Sequence, residues 1–260
     1  MTTPPAVRVW ESHMTLLKRI WKTNLTLGFV QPVLFLLGMG LGVGSLVDAR
    51  SGSTEALGGV GYLGFLAPAL LATTAMLVGS FESTYPVLAG FKWEGTFESM
   101  AATTLTSRQI VAGQLLWWAT RVSLAVVGVT IVLTIVPETR SWGLVPATLS
   151  AVLCGLSFST TVGAYAATRE YDQSFNYVQR FVVTPLFLFG GAFYPIEALP
   201  GALKPIAWVT PLWHGVELTR GFVLETIGFF AVLGHLGVLV AYVGLGLFLC
   251  DRYFSRRLYR

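Results

Sequence analysis

The chain has 260 residues and a net charge of +4, with 54% hydrophobic and only 12% charged side chains, and its mean hydropathy is +0.67. So much apolar surface excludes an ordinary water-soluble core and makes lipid the solvent for most of the molecule.

Residues 7–23 place Trp10, Met14, Leu17 and Trp21 at four-three-four spacing, with Arg8, Glu11, Thr15, Lys18 and Lys22 on the other face. This predicts an amphipathic helix lying in the membrane interface. The first apolar run, 25–47, begins after more than twenty polar or mixed residues and is far longer than a signal-peptide core, so it reads as a retained span. A helix crosses the hydrocarbon with about 20 apolar residues, which predicts further spans at 57–81, 113–136, 142–168, 175–195 and 226–250. Cys154 and Cys250 fall within or at the end of such runs and suit packing better than a disulfide framework.

Between the second and third spans, 83–108 contains "FKWEGTFESMAATTLTSRQ". Charges at Lys92, Glu94 and Glu98 stand beside Trp93, Phe97 and Met100, with Gly95 as a break. Such a segment fits a protein groove, although the aromatic residues could instead face the membrane. Arg121 would lie about 6 Å inside the cytoplasmic edge of its span. Snorkelling covers that depth, and next to Trp117 and Trp118 it reads as an interface anchor, with a functional charge as the alternative.

Residues 191–221 are apolar yet hold Pro195, Pro200, Pro205 and Pro211. Four prolines spaced five or six apart cannot sit in one continuous helix. The segment is expected as short helical pieces, either a re-entrant hairpin over 195–217 dipping in from the outer face or a loop lying flat with Trp208 and Trp213 in the interface. If it does not cross, there are six spans. Twelve lysines and arginines then fall on the side of the termini and four, Arg50, Arg140, Lys204 and Arg220, on the other. That asymmetry favours cytoplasmic termini. The fold class expected is therefore an all-α integral membrane protein with six transmembrane helices, an N-terminal interfacial helix and a re-entrant hairpin between spans five and six.

Catalytic signatures are missing. There is no GxxxxGK[ST] phosphate loop and no HExxH, and His13, His214 and His235 are scattered along the chain. His235, alone in an apolar span, suits packing or an interhelical hydrogen bond.

Taken in order, "QPVLFLLGMGLGVG", "WEGTFESMAATTLT", "NYVQRFVVTPLFLFGGAFYPIEALP" and "VTPLWHGVELTRG" resemble the membrane subunits of ABC-2-type transporters. The likeness is greatest to the permeases of nodulation lipo-oligosaccharide and daunorubicin-type drug exporters. Thr104 stands where relatives usually carry proline. The resemblance implies a complex of two permease subunits, identical or paralogous, with two cytoplasmic ABC ATPase subunits in the cytoplasmic membrane. ATP and Mg would be bound by the ATPases, with no cofactor on this chain and no nucleic acid among the partners. It assigns ATPase coupling to Lys92, Trp93, Glu94, Gly95, Thr96, Phe97 and Glu98. It matches 7–23 to an interfacial connecting helix, and Pro195, Pro200, Pro205, Trp208 and Pro211 to an outer gate.

The function implied is export of an amphiphilic substrate, a lipid, glycolipid or hydrophobic drug, with motion passing from the coupling segment through spans two and three. Phe29 and Phe35 in span one and Phe187 and Phe189 in span five, among glycines, could line a lateral path or serve ordinary helix packing. The rival reading, a secondary transporter driven by an ion gradient, calls for ionisable groups at the bilayer midplane. A membrane-embedded transferase would call for clustered carboxylates, and no aspartate pair occurs.

Cysteines introduced at Ala49 and Ala202 are expected to react with an impermeant maleimide added to intact cells, and one at Ser255 is not. Reaction at Ser255→Cys would contradict the six-span orientation.

Overall fold

Lipid offers no water to a backbone group, so the apolar runs fold as helices that satisfy their own N–H and C=O groups. The structure, a computed structural model, describes residues 4–50, 52, 55, 57–202 and 204–259, with the backbone alone at 16, 19–32 and 41. Among the described residues there are helices and no strands. They are α1 (Pro5–Phe35), a π-helical stretch (Leu36–Val43), α2 (Gly44–Asp48), α3 (Tyr62–Glu82), α4 (Tyr85–Lys92), α5 (Thr96–Ala101), α6 (Ser107–Ile135), α7 (Leu144–Ala167), α8 (Gln173–Val178), a second π-helical stretch (Gln179–Val183), α9 (Thr184–Phe189), α10 (Lys204–Val209), α11 (Pro211–Val223) and α12 (Phe229–Leu258).

Four helical stretches are long and apolar enough to cross a membrane: Tyr62–Lys92, Ser107–Ile135, Leu144–Ala167 and Phe229–Leu258. They overlap the second, third, fourth and sixth expected spans. The first falls in α1, the π-helical stretch and α2, whose backbone runs from the amphipathic residues into the apolar ones without a break. The fifth falls in α8, the second π-helical stretch and α9. The wide turns have local causes. The first holds Gly38, Gly40 and Gly42. The second sits against Pro185, whose ring removes a donor, and both the N–H and Oγ1 of Thr184 reach the carbonyl of Gln179.

Helix boundaries follow from capping chemistry. Thr106 opens α6 with a capping box, its backbone N–H donating to Gln109 Oε1 at 3.0 Å while its Oγ1 accepts from the Gln109 N–H, so two otherwise orphaned donors are satisfied. Asp48 Oδ1 accepts from the first N–H of α3, at Tyr62, at 2.9 Å. Gly95 separates α4 from α5 with φ +62°, a left-handed conformation that costs glycine little.

The helices approach closely where side chains are small. A β-carbon on Gly79 of α3 would fall on the carbonyl oxygen of Gly155 in α7, and one on Gly113 of α6 would fall on Val9 of α1. Small residues at a crossing let dispersion contacts form in lipid, where burial itself drives little association. Toward the end that carries both termini, Phe91, Phe97, Ile110, Trp118, Phe175 and Phe254 form one buried cluster. Toward the other end Met76, Phe158, Leu212, Val216 and Leu218 form another.

Gly79→Ala is expected to destabilise the chain by about 1–3 kcal/mol, because backbone must yield rather than a side chain. Gly237→Ala, whose β-carbon meets nothing within 4 Å, is expected to cost nothing. Thermal unfolding of the two purified variants in one detergent checks the contrast.

Candidate functional site

The docking candidate expected on the cytoplasmic face is built by the turn at Gly95. N–H groups of Trp93 and Glu94 both reach back to the carbonyl of Ala89 at 3.0 and 2.9 Å, ending α4, and the left-handed Gly95 reverses the chain into α5. This geometry sorts the residues expected there. Lys92, Trp93, Glu94 and Glu98 are exposed, Trp93 at 58%. Thr96 Oγ1 donates to the carbonyl of Gly90 at 3.4 Å, within the turn. Phe97 is 1% exposed, so it faces inward, its ring 4.8 Å from that of Phe91 and 5.2 Å from that of Phe254. Gly90 makes the seat, since a β-carbon there would collide with the Phe97 ring. An exposed rim of Trp93, Glu94 and Glu98 thus stands on an aromatic anchor.

The rim is braced from three sides. Lys92 Nζ donates to the carbonyl of Glu170 at 2.7 Å and lies 4.1 Å from the centre of the Tyr171 ring. Asp251 accepts from Ser107 Oγ at 2.7 Å and from Arg108 Nε at 3.1 Å. Arg257 NH1 donates to the carbonyls of Ala167 and Arg169 at 3.0 and 2.7 Å and its guanidinium covers the Phe91 ring at 4.4 Å. Farther along α6, Arg121 pairs with Glu82 at 2.7 Å with both side chains largely buried. Trp118 Nε1 donates to the carbonyl of Glu82 at 3.2 Å. Arg121, read from sequence as an interface anchor, joins α6 to the end of α3.

At the opposite end the prolines divide the chain as expected into short pieces. Pro195 precedes a 3-10 turn, Ile196–Ala198, Pro200 lies in the loop after it, Pro205 sits in the first turn of α10, and Pro211 is the first residue of α11. The bend between α10 and α11 reaches far along its neighbours. The carbonyl of Val209 accepts from Tyr242 Oη at 2.8 Å, thirteen residues and about 20 Å along α12. The carbonyl of Pro211 faces Cys154 Sγ at 3.7 Å, about 15 Å along α7. Trp208 is half exposed, and its carbonyl receives a hydrogen bond from His214 Nε2 at 2.8 Å. A carbonyl can only accept, so His214 carries a proton on Nε2, and in its neutral form its Nδ1 accepts from His235 Nδ1 at 2.7 Å. Arg220 donates to the carbonyls of Phe65, Gly191 and Ala192 at 3.2, 2.8 and 3.3 Å and lies 3.7 Å from the Phe65 ring centre.

The expected path aromatics come together only in part. Phe35 and Phe187 meet with ring centres 6.0 Å apart, and Phe193 closes a triangle with them at 5.6 and 5.0 Å. Phe189 points away and is 42% exposed. The side chain of Phe29 lies outside the described residues. Sequence reasoning missed Phe193, the histidine pair and the role of Phe254. An unpaired histidine in an apolar span was the one available signal for the pair; Phe193 and Phe254 carried none, being aromatic residues among many.

A bundle of long apolar helices with an anchored polar knuckle at one end and a proline-divided segment at the other has the build of a membrane permease. The family described as ABC-2 type transporter matches residues 7–224, and the chain belongs to that family. It is 31% identical over 252 residues to nodulation protein J of Rhizobium meliloti (strain 1021), covering 97% of this chain and 93% of that one. With nodulation protein J of Rhizobium leguminosarum bv. viciae it shares 32% identity over 256 residues, covering 97% and 94%. With the inner membrane transport permease YadH of Escherichia coli (strain K12) it shares 26% over 234 residues, covering 88% and 82%.

Phe97→Ala is expected to destabilise the chain by about 3–5 kcal/mol, as a fully buried ring does when removed. Trp93→Ala, at an exposed position, should change stability by less than about 0.5 kcal/mol. Thermal unfolding of the two single variants separates the anchor from the rim.

Proposed function

We propose that the chain is the permease subunit of an ATP-driven exporter in the cytoplasmic membrane, with six crossings and both termini in the cytoplasm. It pairs with a second permease, identical or paralogous, and with two ABC ATPase subunits that bind ATP and Mg. The cargo is amphiphilic: a lipid, a glycolipid of the lipo-oligosaccharide type, or a hydrophobic drug. The observation that carries this reading is the knuckle at Gly95. Its exposed Trp93, Glu94 and Glu98 offer an apolar and acidic contact to a protein, while Phe97 fixes the same turn to the bundle, so force applied to the rim is not lost in a loose loop.

Re-entry of 195–217 from the outer face is supported by the depth of the bend at Val209, beside Tyr242 and Cys154 rather than beside helix ends. A flat surface loop would not reach them. Ion-gradient transport is disfavoured by how the buried ionisable groups are engaged. Arg121 and Glu82 form an ion pair at 2.7 Å, and His235, near the middle of its apolar run, is engaged with His214. Both pairs are satisfied side chain to side chain rather than open to a coupling ion.

Copurification with a coexpressed ABC ATPase subunit, followed by ATP-dependent movement of candidate lipids, glycolipids and amphiphilic drugs in proteoliposomes, tests the reading. Glu94→Lys and Glu98→Lys are expected to leave the chain folded in the membrane and to reduce ATPase recovery about ten-fold, since charge reversal at a docking rim leaves like or unpaired charges in contact. Full recovery of the ATPase in both variants would remove this segment as the docking site. The ratio of substrate moved to ATP hydrolysed is expected to fall in Pro200→Ala/Pro205→Ala, whose straightened pieces no longer fold back.

A further inference from the structure

The last helix, α12, makes specific contacts at both ends of the molecule, and the resemblance-based mechanism leaves it unused. At its cytoplasmic end Phe254 packs against Phe91 and Phe97 with ring centres 4.8 and 5.2 Å apart. Asp251 holds Ser107 and Arg108 at the start of α6, and Arg257 covers the Phe91 ring. Beyond the helix, Tyr259 Oη donates to the carbonyl of Leu105 at 3.3 Å. The coupling knuckle is therefore mounted on α12 as firmly as on its own α4. Toward the outer end, Tyr242 bonds the carbonyl of Val209 and His235 bonds His214, so both pieces of the proline-divided hairpin are tied to the same helix.

Between these joints α12 is continuous. From His235 to Phe254 it spans nineteen residues, about 28 Å, and no proline or wide turn interrupts Phe229–Leu258. Along that length it is fused to α7. Gly246 lets the backbones meet, since a β-carbon there would fall on Thr160, and Cys250 Sγ donates to the carbonyl of Thr160 at 3.1 Å. Arg257 ties the last carbonyls after α7 to the same helix. The two helices form one stiff body with the knuckle at its lower end and the hairpin at its upper end.

We infer that α12, backed by α7, is the rod that carries displacement of the coupling knuckle to the outer hairpin, with Phe254 as the positioning residue of the lower joint and Tyr242 and His235 as those of the upper joint. This rests on the proposed ATPase-coupled function. It differs from a path through spans two and three, whose chain connections to the knuckle run through turns at Ser83–Thr84 and 102–106, although Ile110 of α6 packs in the same cluster as Phe97. A helix transmits displacement along its axis, whereas a turn yields.

The test uses the permease with its partner ATPase in nanodiscs, with cysteine introduced at Ala202 in the outer loop; Cys154 and Cys250 are buried and do not compete. The readout is the maleimide labelling rate of Ala202→Cys with and without ATP and Mg. In the otherwise wild-type complex ATP is expected to change that rate about ten-fold, within the usual span of coupling between sites. Phe254→Ala should abolish the change while the ATPase stays bound and hydrolyses ATP. Leu88→Ala deletes a side chain that is equally buried in the same cluster but does not form the joint, so it should keep the change. If Phe254→Ala does not fold, Tyr242→Phe tests the same rod from its other end, since it removes one hydrogen bond and keeps the ring. It should reduce the ATP-dependent change at least two-fold. An unaltered response in either joint variant, equal loss in Leu88→Ala, or no response in the otherwise wild-type complex overturns the rod. Failure of the ATPase to bind the wild-type permease would instead overturn the functional reading on which the rod rests.

Discussion

Wherever a helix breaks inside this molecule, the carbonyls it leaves unpaired must find a donor without the help of water, and a side chain from a distant element supplies it. Arg220 serves Phe65, Gly191 and Ala192. Tyr242 and His214 serve Val209 and Trp208 at the hairpin bend. Trp118 serves Glu82 and Arg257 serves Ala167 in the same way, while at the exposed rim Arg257 and Lys92 also bond the carbonyls of Arg169 and Glu170. An unpaired carbonyl at that depth costs several kcal/mol, so each donor is held in place by the break it repairs.

This constraint links architecture to movement. Breaks are the places where a bundle can bend, and their donors come from elements that must move with them. The proline-divided segment is tied to α12, because the Val209 carbonyl bonds Tyr242 and His214 bonds His235. The knuckle is tied to α12 too, because the Phe97 ring packs against those of Phe91 and Phe254. Helix crossings at Gly79, Gly155 and Gly246 keep the remaining spans in register, since backbone against backbone leaves little room for sliding.

Charge is distributed by the same logic. Glu94 and Glu98 are exposed at the rim, Glu98 within the field of Arg257, whereas Glu82 and Asp251 are paired to Arg121 and Arg108. Acidic residues of similar sequence setting thus divide into those that hold helices together and those that offer a surface. Burial makes the division: a carboxylate removed from water requires a partner, and one at the rim does not.

Much of this was legible in the residues alone. Composition made the chain a membrane protein, the length of the apolar runs located four crossing helices, and the spacing of Pro195, Pro200, Pro205 and Pro211 required a divided segment, because proline acts on its own neighbours whatever surrounds it. The turn at Gly95 was visible for the same local reason. Tertiary structure alone decided that Phe97 faces inward while Trp93 faces outward, that Phe193 joins Phe35 and Phe187, and that His214 and His235 share a proton-bearing contact across 21 positions. Those outcomes depend on which helix lies beside which. Apolar periodicity carries no such information when nearly every face of a helix is apolar.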